Sequence, residues 1–219
     1  MISLPDFNKA FDYENDFYLS CDSSRMAKMA AHYELYKLSS GIAGDIAECG
    51  VFKGVALVRF AMFQKLFGEM PKKVIGFDTF GMFPETSFEG DKGPRQKFID
   101  DAGAESITVE QLQTALQHKG LGQDAELVAG DITKTVPEYA ALHPDMKFSL
   151  INLDVDIYEP SVTVLQYLYP KLEKGGVLIL DDYGRFPGET KAVDDYFQGQ
   201  GVEIHQFPFC KTPQYIIKT

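Results

Sequence analysis

Apolar residues fall into short runs along the chain, and longer stretches with apolar residues three or four positions apart lie between them. Five of the short runs predict strands, several of them continuous enough to be covered on both faces: 45–49, 73–77, 126–129, 148–153 and 177–180. The intervening periodicity predicts helices over 23–38, 55–67, 94–101, 109–119, 135–142, 160–172 and 190–197.

Alternating strands and helices are typical of a mainly parallel sheet with helices on both faces. Two further β-type runs, 202–206 and 215–217, follow the last helix, with Pro208 and Pro213 between them. This connection predicts an antiparallel hairpin that closes one edge of a seven-stranded sheet. We therefore expect one α/β domain over residues 1–219 that begins with a helical segment over 1–40.

The connection after the second predicted strand is unusually long. Its first part, Thr79 to Lys92, is rich in glycine, proline and charge. Long ordered connections beside an active site often act as lids. We expect a lid loop over 79–95, with a mobile surface loop as the alternative.

Composition narrows the classes of partner. The 219-residue chain has 21 Lys and Arg against 32 Asp and Glu, a net charge of −11, and its basic residues form no cluster, so we expect no nucleic-acid partner. No apolar run approaches the length of a membrane span, and no secretory signal is visible at the start. Three cysteines without metal-type spacing fit a reducing cytoplasm.

In an open parallel sheet, ligands bind beyond the carboxyl ends of the strands. The first predicted strand ends in Glu48 and is followed by a turn that contains Gly50 and Gly54. Glycines there let backbone amides approach a ligand at a helix N-terminus. The spacing matches neither a dinucleotide fingerprint nor a P-loop, so the turn alone is weak evidence.

Two acids follow the second and third predicted strands. Asp78 occupies the position from which an acid holds ribose hydroxyls in nucleoside-binding proteins, and this role is favoured over a turn cap. Asp131 could contact an adenine edge or cap the helix that follows it. The two interpretations of Asp131 are equally good.

The fourth and fifth predicted strands end in four aspartates: Asp154, Asp156, Asp181 and Asp182. Carboxylates this close raise each other's pKa unless a cation lies between them. Mg²⁺ prefers such oxygen ligands, whereas the four histidines lack the spacing of zinc ligands. The sequence predicts a magnesium site, with caps or pairs to Arg185 and Lys191 as the alternative.

These segments together resemble the macrocin O-methyltransferase family, whose members are Mg²⁺-dependent class I S-adenosylmethionine (SAM) methyltransferases with a Rossmann-like fold. The resemblance rests on the following segments: Glu48–Gly54, Phe77–Phe80, Leu153–Glu159, Leu168–Lys171, Gly175–Gly176, Asp181–Tyr183 and Lys191–Tyr196. It implies O-methylation of a small acceptor, a sugar or nucleotide-sugar with vicinal hydroxyls, by a protein that could form a homo-oligomer.

The resemblance also implies residue roles. It assigns the methionine part of SAM to Glu48, Gly50 and Gly54, and the ribose to Asp78. The metal ligands would be Asp154, Asp181 and Asp182, with Asp154 also accepting the proton of the acceptor. Asp156 lies beside this set and is counted with Asp131 among the cofactor-binding residues.

Two other classes of protein remain as alternatives. A Mg²⁺-dependent phosphohydrolase would use an aspartyl nucleophile in Asp154-Val155-Asp156, but that motif normally follows the first strand. A non-catalytic SAM-binding subunit would not need four aspartates together. An NAD(P)-dependent oxidoreductase fits least, because the glycine spacing is wrong.

Overall fold

The computed structural model describes residues 2–219 and contains a seven-stranded sheet in the order β3-β2-β1-β4-β5-β7-β6. The strands are β1 (Asp45–Cys49), β2 (Val74–Asp78), β3 (Ala125–Ala129), β4 (Phe148–Leu153), β5 (Leu172–Leu180), β6 (His205–Gln206) and β7 (Gln214–Ile217). The first five are parallel, and β7 runs antiparallel to both β5 and β6. The predicted α/β fold with a closing antiparallel hairpin is confirmed.

Eight α-helices accompany the sheet in residues 2–219: α1 (Ala10–Ser20), α2 (Ser23–Ser40), α3 (Val55–Phe67), α4 (Glu89–Ala102), α5 (Val109–His118), α6 (Ile132–Leu142), α7 (Tyr158–Tyr167) and α8 (Pro187–Phe197). Short 3-10 helices cover Phe7–Lys9 and Tyr169–Lys171. None of the helices in the described part of the chain is long and apolar enough to cross a bilayer.

Side chains alternate between two cores, one on each face of the sheet. In β4, Leu150 packs with α2, α3 and α5, whereas Ile151 and Leu153 pack with α6, α7 and α8. In β5, Ile179 and Leu180 divide between the two cores in the same way. Helices therefore cover both faces, and the carboxyl ends of the parallel strands meet at one edge.

The expected lid loop is too long at its C-terminal end. Helix α4 begins at Glu89, five residues before the predicted start at residue 94, so only 79–88 lacks helical or strand structure. Pro94 lies inside this helix rather than at its start. The early start places Asp91 in the first turn, where its side chain is fully buried.

The N-terminal segment is helical in two parts. Helix α1 has no buried residue, and helix α2 packs against the sheet through residues that include Leu35 and Tyr36. Helix α2 also delivers two polar side chains, Lys28 and His32, toward the carboxyl ends of the strands. This segment therefore contributes to the site described next.

Candidate functional site

A cavity of about 480 Å³ opens at the carboxyl ends of the parallel strands. Five residues predicted as site residues line it: Gly50, Asp78, Asp131, Asp154 and Asp156. The rest of its wall comes largely from the 79–88 loop, from Phe98 in α4 and from the start of α7. The volume lies within the range of small-molecule pockets.

The glycine turn after β1 is needed for steric reasons. Gly50 has a φ of 92°, and a Cβ atom there would lie 1.7 Å from the backbone oxygen of Asp154. Gly54 has a φ of 83° at the N-cap of α3. The turn thus brings the β1 and β4 ends into contact, while its predicted role in binding methionine stays a prediction.

Asp78 is engaged by the protein itself. Its Oδ2 accepts hydrogen bonds from the backbone N–H groups of Val51 at 2.8 Å and Phe52 at 3.0 Å. Its Oδ1 accepts from the Phe80 N–H at 2.6 Å and from the Ser106 hydroxyl at 3.0 Å. These bonds show the turn-capping role that was the alternative to ribose binding, and the ribose role stays a prediction.

Asp131 is an N-cap that also lines the cavity. Its Oδ1 accepts from the backbone N–H of Thr133 at 3.0 Å and from the Thr133 hydroxyl at 2.7 Å. The hydroxyl bond is the main reason why the pKa of Asp131 is lowered. The capping role is confirmed, and contact with adenine stays a prediction.

Three of the four strand-end aspartates come together. One carboxylate oxygen from each of Asp154, Asp181 and Asp182 lies within 4.8 Å of the others. Strands β4 and β5 are neighbours, with Leu153 opposite Leu180, so the residues that follow them meet. Asp181 Oδ1 is buried without a hydrogen-bond partner among residues 2–219, and this oxygen-only donor set fits Mg²⁺.

Burial and mutual repulsion dominate the electrostatics of these acids. Burial, followed by the charge of a neighbouring aspartate, raises the pKa of Asp154 and Asp182 well above the usual range. Burial and the neighbouring Asp154 raise the pKa of Asp156 to about 7. Burial opposes ionisation of Asp181 as well, but Lys28 and His32 outweigh it and lower the pKa of Asp181.

The compensating cation comes from α2, far away in sequence. The Lys28 ammonium donates to Asp181 Oδ2, and His32 Nε2 lies 3.5 Å from Asp181 Oδ1. His32 is fully buried, burial lowers its pKa, and its Nδ1 lies 3.0 Å from a guanidinium nitrogen of Arg59. The spacing of four residues between Lys28 and His32 on one helix was the available signal, and sequence reasoning missed it.

The cations considered as alternative partners lie elsewhere. Lys191 pairs with Asp195 at 2.8 Å, and an Arg185 guanidinium nitrogen lies 3.4 Å from the Thr212 hydroxyl. The interpretation of the strand-end acids as partners of Lys191 and Arg185 is therefore wrong.

Two more buried glutamates surround the triad. Glu48 Oε2 accepts from Asn152 Nδ2 at 3.1 Å, and Glu189 Oε1 accepts from the Asp182 N–H at 2.9 Å. The other oxygen of each glutamate has no hydrogen-bond partner within the described residues. Burial, together with nearby aspartates, raises the pKa of both. Glu189 was not predicted, and a methionine contact of Glu48 stays a prediction.

A family model described as macrocin-O-methyltransferase (TylF) matches residues 12–207. The chain belongs to this family. The matched range includes every strand-end residue described above, from the glycine turn to the Asp181-Asp182 pair.

Curated relatives of this family member are antibiotic-modifying enzymes by name. The chain is 28% identical over 167 residues to 8-demethyl-8-(2,3-dimethoxy-alpha-L-rhamnosyl)-tetracenomycin-C 4'-O-methyltransferase of Streptomyces olivaceus, covering 75% of this chain and 62% of that protein. It is 26% identical over 169 residues to mycinamicin III 3''-O-methyltransferase of Micromonospora griseorubida, covering 75% and 65%. The chain thus spans a little over three fifths of the length of these relatives.

Solved structures agree on the fold of this macrocin-O-methyltransferase family member. A crystal structure of a calicheamicin methyltransferase has a TM-score of 0.79 and 26% identity, covering 98% of this chain and 86% of that chain. The O-methyltransferase NovP has a TM-score of 0.73 and 23% identity, covering 90% and 80%. The predicted class I methyltransferase fold is confirmed.

An aromatic wall of the cavity in this family member was not predicted. The Phe98 ring centroid lies 5.2 Å from that of Phe52 and 5.4 Å from that of Phe83, and all three residues line the cavity. The three side chains come from the glycine turn, the 79–88 loop and α4. They make one side of the cavity aromatic and apolar.

The 79–88 loop is fixed to the body of the protein in this structure. Glu159 in α7 accepts from the backbone N–H of Ser87 at 2.7 Å and from the Thr86 hydroxyl at 2.9 Å. Arg95 donates to the carbonyl oxygens of Pro84 at 2.6 Å and Phe83 at 2.9 Å. The loop covers one side of the cavity, and its predicted movement as a lid stays a prediction.

Proposed function

We propose that the chain is a Mg²⁺-dependent O-methyltransferase that transfers the methyl group of SAM to a hydroxyl of a small acceptor. The acceptor would be a sugar or nucleotide-sugar with vicinal hydroxyls. One observation carries the proposal: the triad of Asp154, Asp181 and Asp182 adjoins a cavity of about 480 Å³ at the carboxyl ends of the parallel strands. Family membership and the sugar-modifying names of the relatives support it.

The cavity would hold SAM, which supplies an electrophilic methyl group. The side chains of Phe52, Phe83 and Phe98 would contact the adenine ring, since aromatic rings attract one another. Asp131 keeps a partly exposed carboxylate at the cavity wall and could accept a hydrogen bond from the adenine amino group or a ribose hydroxyl. Asp78 would act mainly by holding the glycine turn in place, because its oxygens already accept several hydrogen bonds.

The three triad carboxylates would hold Mg²⁺. When bound, the ion would lower the pKa of an acceptor hydroxyl. Asp154 belongs to the triad and also lines the cavity, so it is the residue placed to accept the hydroxyl proton. Asp156 would remain beside the triad as a further acid that favours a nearby positive charge.

The protein would also exclude water and hold the reactants in line. The 79–88 loop, fixed by Glu159 and Arg95, covers one side of the cavity. Exclusion of water and fixed orientation both accelerate methyl transfer, since the acceptor oxygen must approach the methyl carbon opposite the sulfur.

The alternatives are less consistent with these observations. A phosphohydrolase would leave the glycine turn, the aromatic wall and the family match without a role. A non-catalytic SAM-binding subunit would keep the cavity but would not need a buried acid triad beside it.

Calorimetric titration with S-adenosylhomocysteine tests the cofactor, and methyl transfer from labelled SAM tests the reaction. We expect binding with and without Mg²⁺, but transfer to deoxysugar nucleotides only with Mg²⁺. Addition of EDTA followed by excess Mg²⁺ is the matched control, because it removes and restores the ion in one sample. A lack of S-adenosylhomocysteine binding in both conditions would remove the methyltransferase proposal, and full turnover in EDTA would remove its metal part.

A further inference from the structure

Asp91 holds the N-termini of two helices with one buried carboxylate. Its Oδ2 accepts from the backbone N–H of Tyr158 at 2.8 Å, and its Oδ1 accepts from the backbone N–H of Gly188 at 2.7 Å. Tyr158 is the first residue of α7, and Gly188 is the second residue of α8. The side chain has no exposed surface.

Neither helix has a cap of its own. Ile157 and Phe186, the N-cap residues of α7 and α8, make no side-chain capping bond. The free N–H groups and the positive ends of both helix dipoles therefore converge on Asp91. A single carboxylate from α4 satisfies both ends.

Glycine at position 188 makes this contact possible. A Cβ atom on Gly188 would lie 1.9 Å from Asp91 Oδ2 and 2.5 Å from the Tyr158 nitrogen. No side chain fits there without displacing the carboxylate or the first turn of α7. The close approach of the two helices depends on the pair formed by Asp91 and Gly188.

The two helices each follow a segment that carries triad residues. Helix α7 begins four residues after Asp154, and α8 begins five residues after Asp182. The same two segments are joined a second time, because the backbone N–H of Glu189 donates to the carbonyl oxygen of Asp156 at 3.2 Å. The sheet itself joins the two strand ends, since the backbone N–H of Asp181 donates to the carbonyl oxygen of Leu153 at 3.0 Å. Beyond the strands, the bonds that hold the two segments together meet near Asp91.

We infer that Asp91 is a positioning residue that holds together the segments after β4 and β5, which carry Asp154 and Asp182, and so contributes to metal affinity. The inference rests on the proposed function, because it assumes that the triad binds Mg²⁺. Among the described residues, no hydrogen bond joins Asp91 to a triad side chain. Loss of a group bonded directly to a metal ligand typically weakens a site by about 10- to 100-fold, and Asp91 acts one step further from the ligands, so we expect the lower end of that range.

Binding of Mn²⁺ alone, followed by the electron paramagnetic resonance signal of the free ion, tests the inference. In Asp91→Asn the amide nitrogen cannot accept a hydrogen bond, so one helix N-terminus loses its partner. We expect the Mn²⁺ dissociation constant to rise by about 10-fold, the lower end of the range for lost outer support. Asp101→Asn is the matched control, because it makes the same change on an exposed part of α4, where Asp101 pairs only with Lys97 at 2.7 Å. It should bind Mn²⁺ like the wild type.

A second readout separates positioning from general damage. Saturating Mg²⁺ should restore most of the turnover of Asp91→Asn, whereas general damage would lower turnover at every Mg²⁺ concentration. If circular dichroism shows that Asp91→Asn is unfolded, Gly188→Ala replaces it in the test. The added methyl group displaces the Asp91 carboxylate from the side of α8.

The outcomes distinguish this inference from the function on which it rests. Wild-type Mn²⁺ affinity in a folded Asp91→Asn or Gly188→Ala protein would overturn the inference and leave the proposed function standing. A wild-type protein that does not bind Mn²⁺ would overturn the metal part of the proposed function and the inference with it.

Discussion

Asp78 and Asp181 both follow strands of the same sheet and are both buried, with 9% and 3% of their surfaces exposed, yet their surroundings differ. Asp78 accepts bonds from backbone N–H groups and a hydroxyl, all fixed parts of the fold. Asp181 is held by Lys28 and His32, and its Oδ1 lacks a hydrogen-bond partner within residues 2–219.

Buried acids such as Asp78 and Asp181 therefore have two different uses at the carboxyl ends of the strands. In the β1–β2 half, fixed N–H and hydroxyl donors of the protein satisfy the buried acid, so its charge needs no metal ion. In the β4–β5 half, several acids repel one another, and the single positive charge of Lys28 partly takes the place of a divalent metal ion. A divalent ion would complete the second half and leave the first unchanged.

The largest expected effect is that of Asp154→Asn. The amide cannot accept a proton and is a weaker metal ligand, so we expect turnover to fall by about 10²- to 10⁴-fold. S-adenosylhomocysteine affinity, measured by calorimetry, should change little because the cavity walls stay in place. Undiminished turnover would contradict the assignment of Asp154 as the proton acceptor.

Lys28→Met should destabilise the metal-free protein. Loss of the ammonium leaves buried acids without their cation, and breaking such a pair costs on the order of 3 kcal/mol. We expect a lower melting temperature in EDTA that excess Mg²⁺ largely restores, since the ion supplies the missing charge. Lys97→Met, which removes an exposed partner of Asp101, is the control. A loss of stability that Mg²⁺ does not reverse would contradict the substitute role of Lys28.

Asp78→Asn tests the β1–β2 half, in which the protein itself supplies the hydrogen-bond donors of the acid. Whichever way the amide turns, its nitrogen cannot accept a hydrogen bond, so either the N–H groups of Val51 and Phe52 or that of Phe80 lose their acceptor. A buried donor without a partner costs about 1–3 kcal/mol. Urea unfolding should show this loss to be the same with and without Mg²⁺. Asp131→Asn is a matched comparison that should lose less, because asparagine is also a good N-cap. A strong Mg²⁺ dependence of the Asp78→Asn effect would show that the two halves are coupled.

The last prediction concerns pH. Burial and neighbouring acids raise the pKa of Asp154 and Asp182 well above the usual range and that of Asp156 to about 7, so these acids ionise less readily in the metal-free site. A metal binds the ionised carboxylates and releases their protons, so its affinity should rise with pH, by up to about tenfold per pH unit for each proton released. Titration of Mn²⁺ between pH 6 and 8 measures the slope. Affinity that falls as pH rises would contradict the raised pKa values of Asp154 and Asp182.

The sequence was sufficient for the parts that depend on local pattern. Continuous apolar runs located the five parallel strands to within one residue at most ends, and strand ends then brought Asp154 and Asp181 together. The start of β5 was missed by five residues, because Glu173 and Lys174 interrupt the apolar pattern between Leu172, which pairs with Phe148, and the continuous run from Val177. The local apolar pattern does not show that a strand continues past such charged residues.

The missed site residues depend on contacts distant in sequence. Lys28 lies 153 residues from Asp181, and Asp91 lies 67 and 97 residues from its two partners. In the sequence, Asp91 resembles an ordinary acid near a helix start. Only the packing of α4 against α7 and α8 buries it, and that packing is a property of the assembled fold.

The buried Glu48 bears on how such a chain would evolve if its site went unused. One of its oxygens lacks a hydrogen-bond donor in the described part of the protein, and an apolar side chain of similar shape would stabilise that position more. A lineage that no longer used the site would gain stability from paired apolar replacements of Glu48 and its partner Asn152, which leave no buried polar group unpaired. Mutation would therefore erase the acids while the sheet persisted, and descendants that lost the chemistry would be recognisable by an apolar sheet edge.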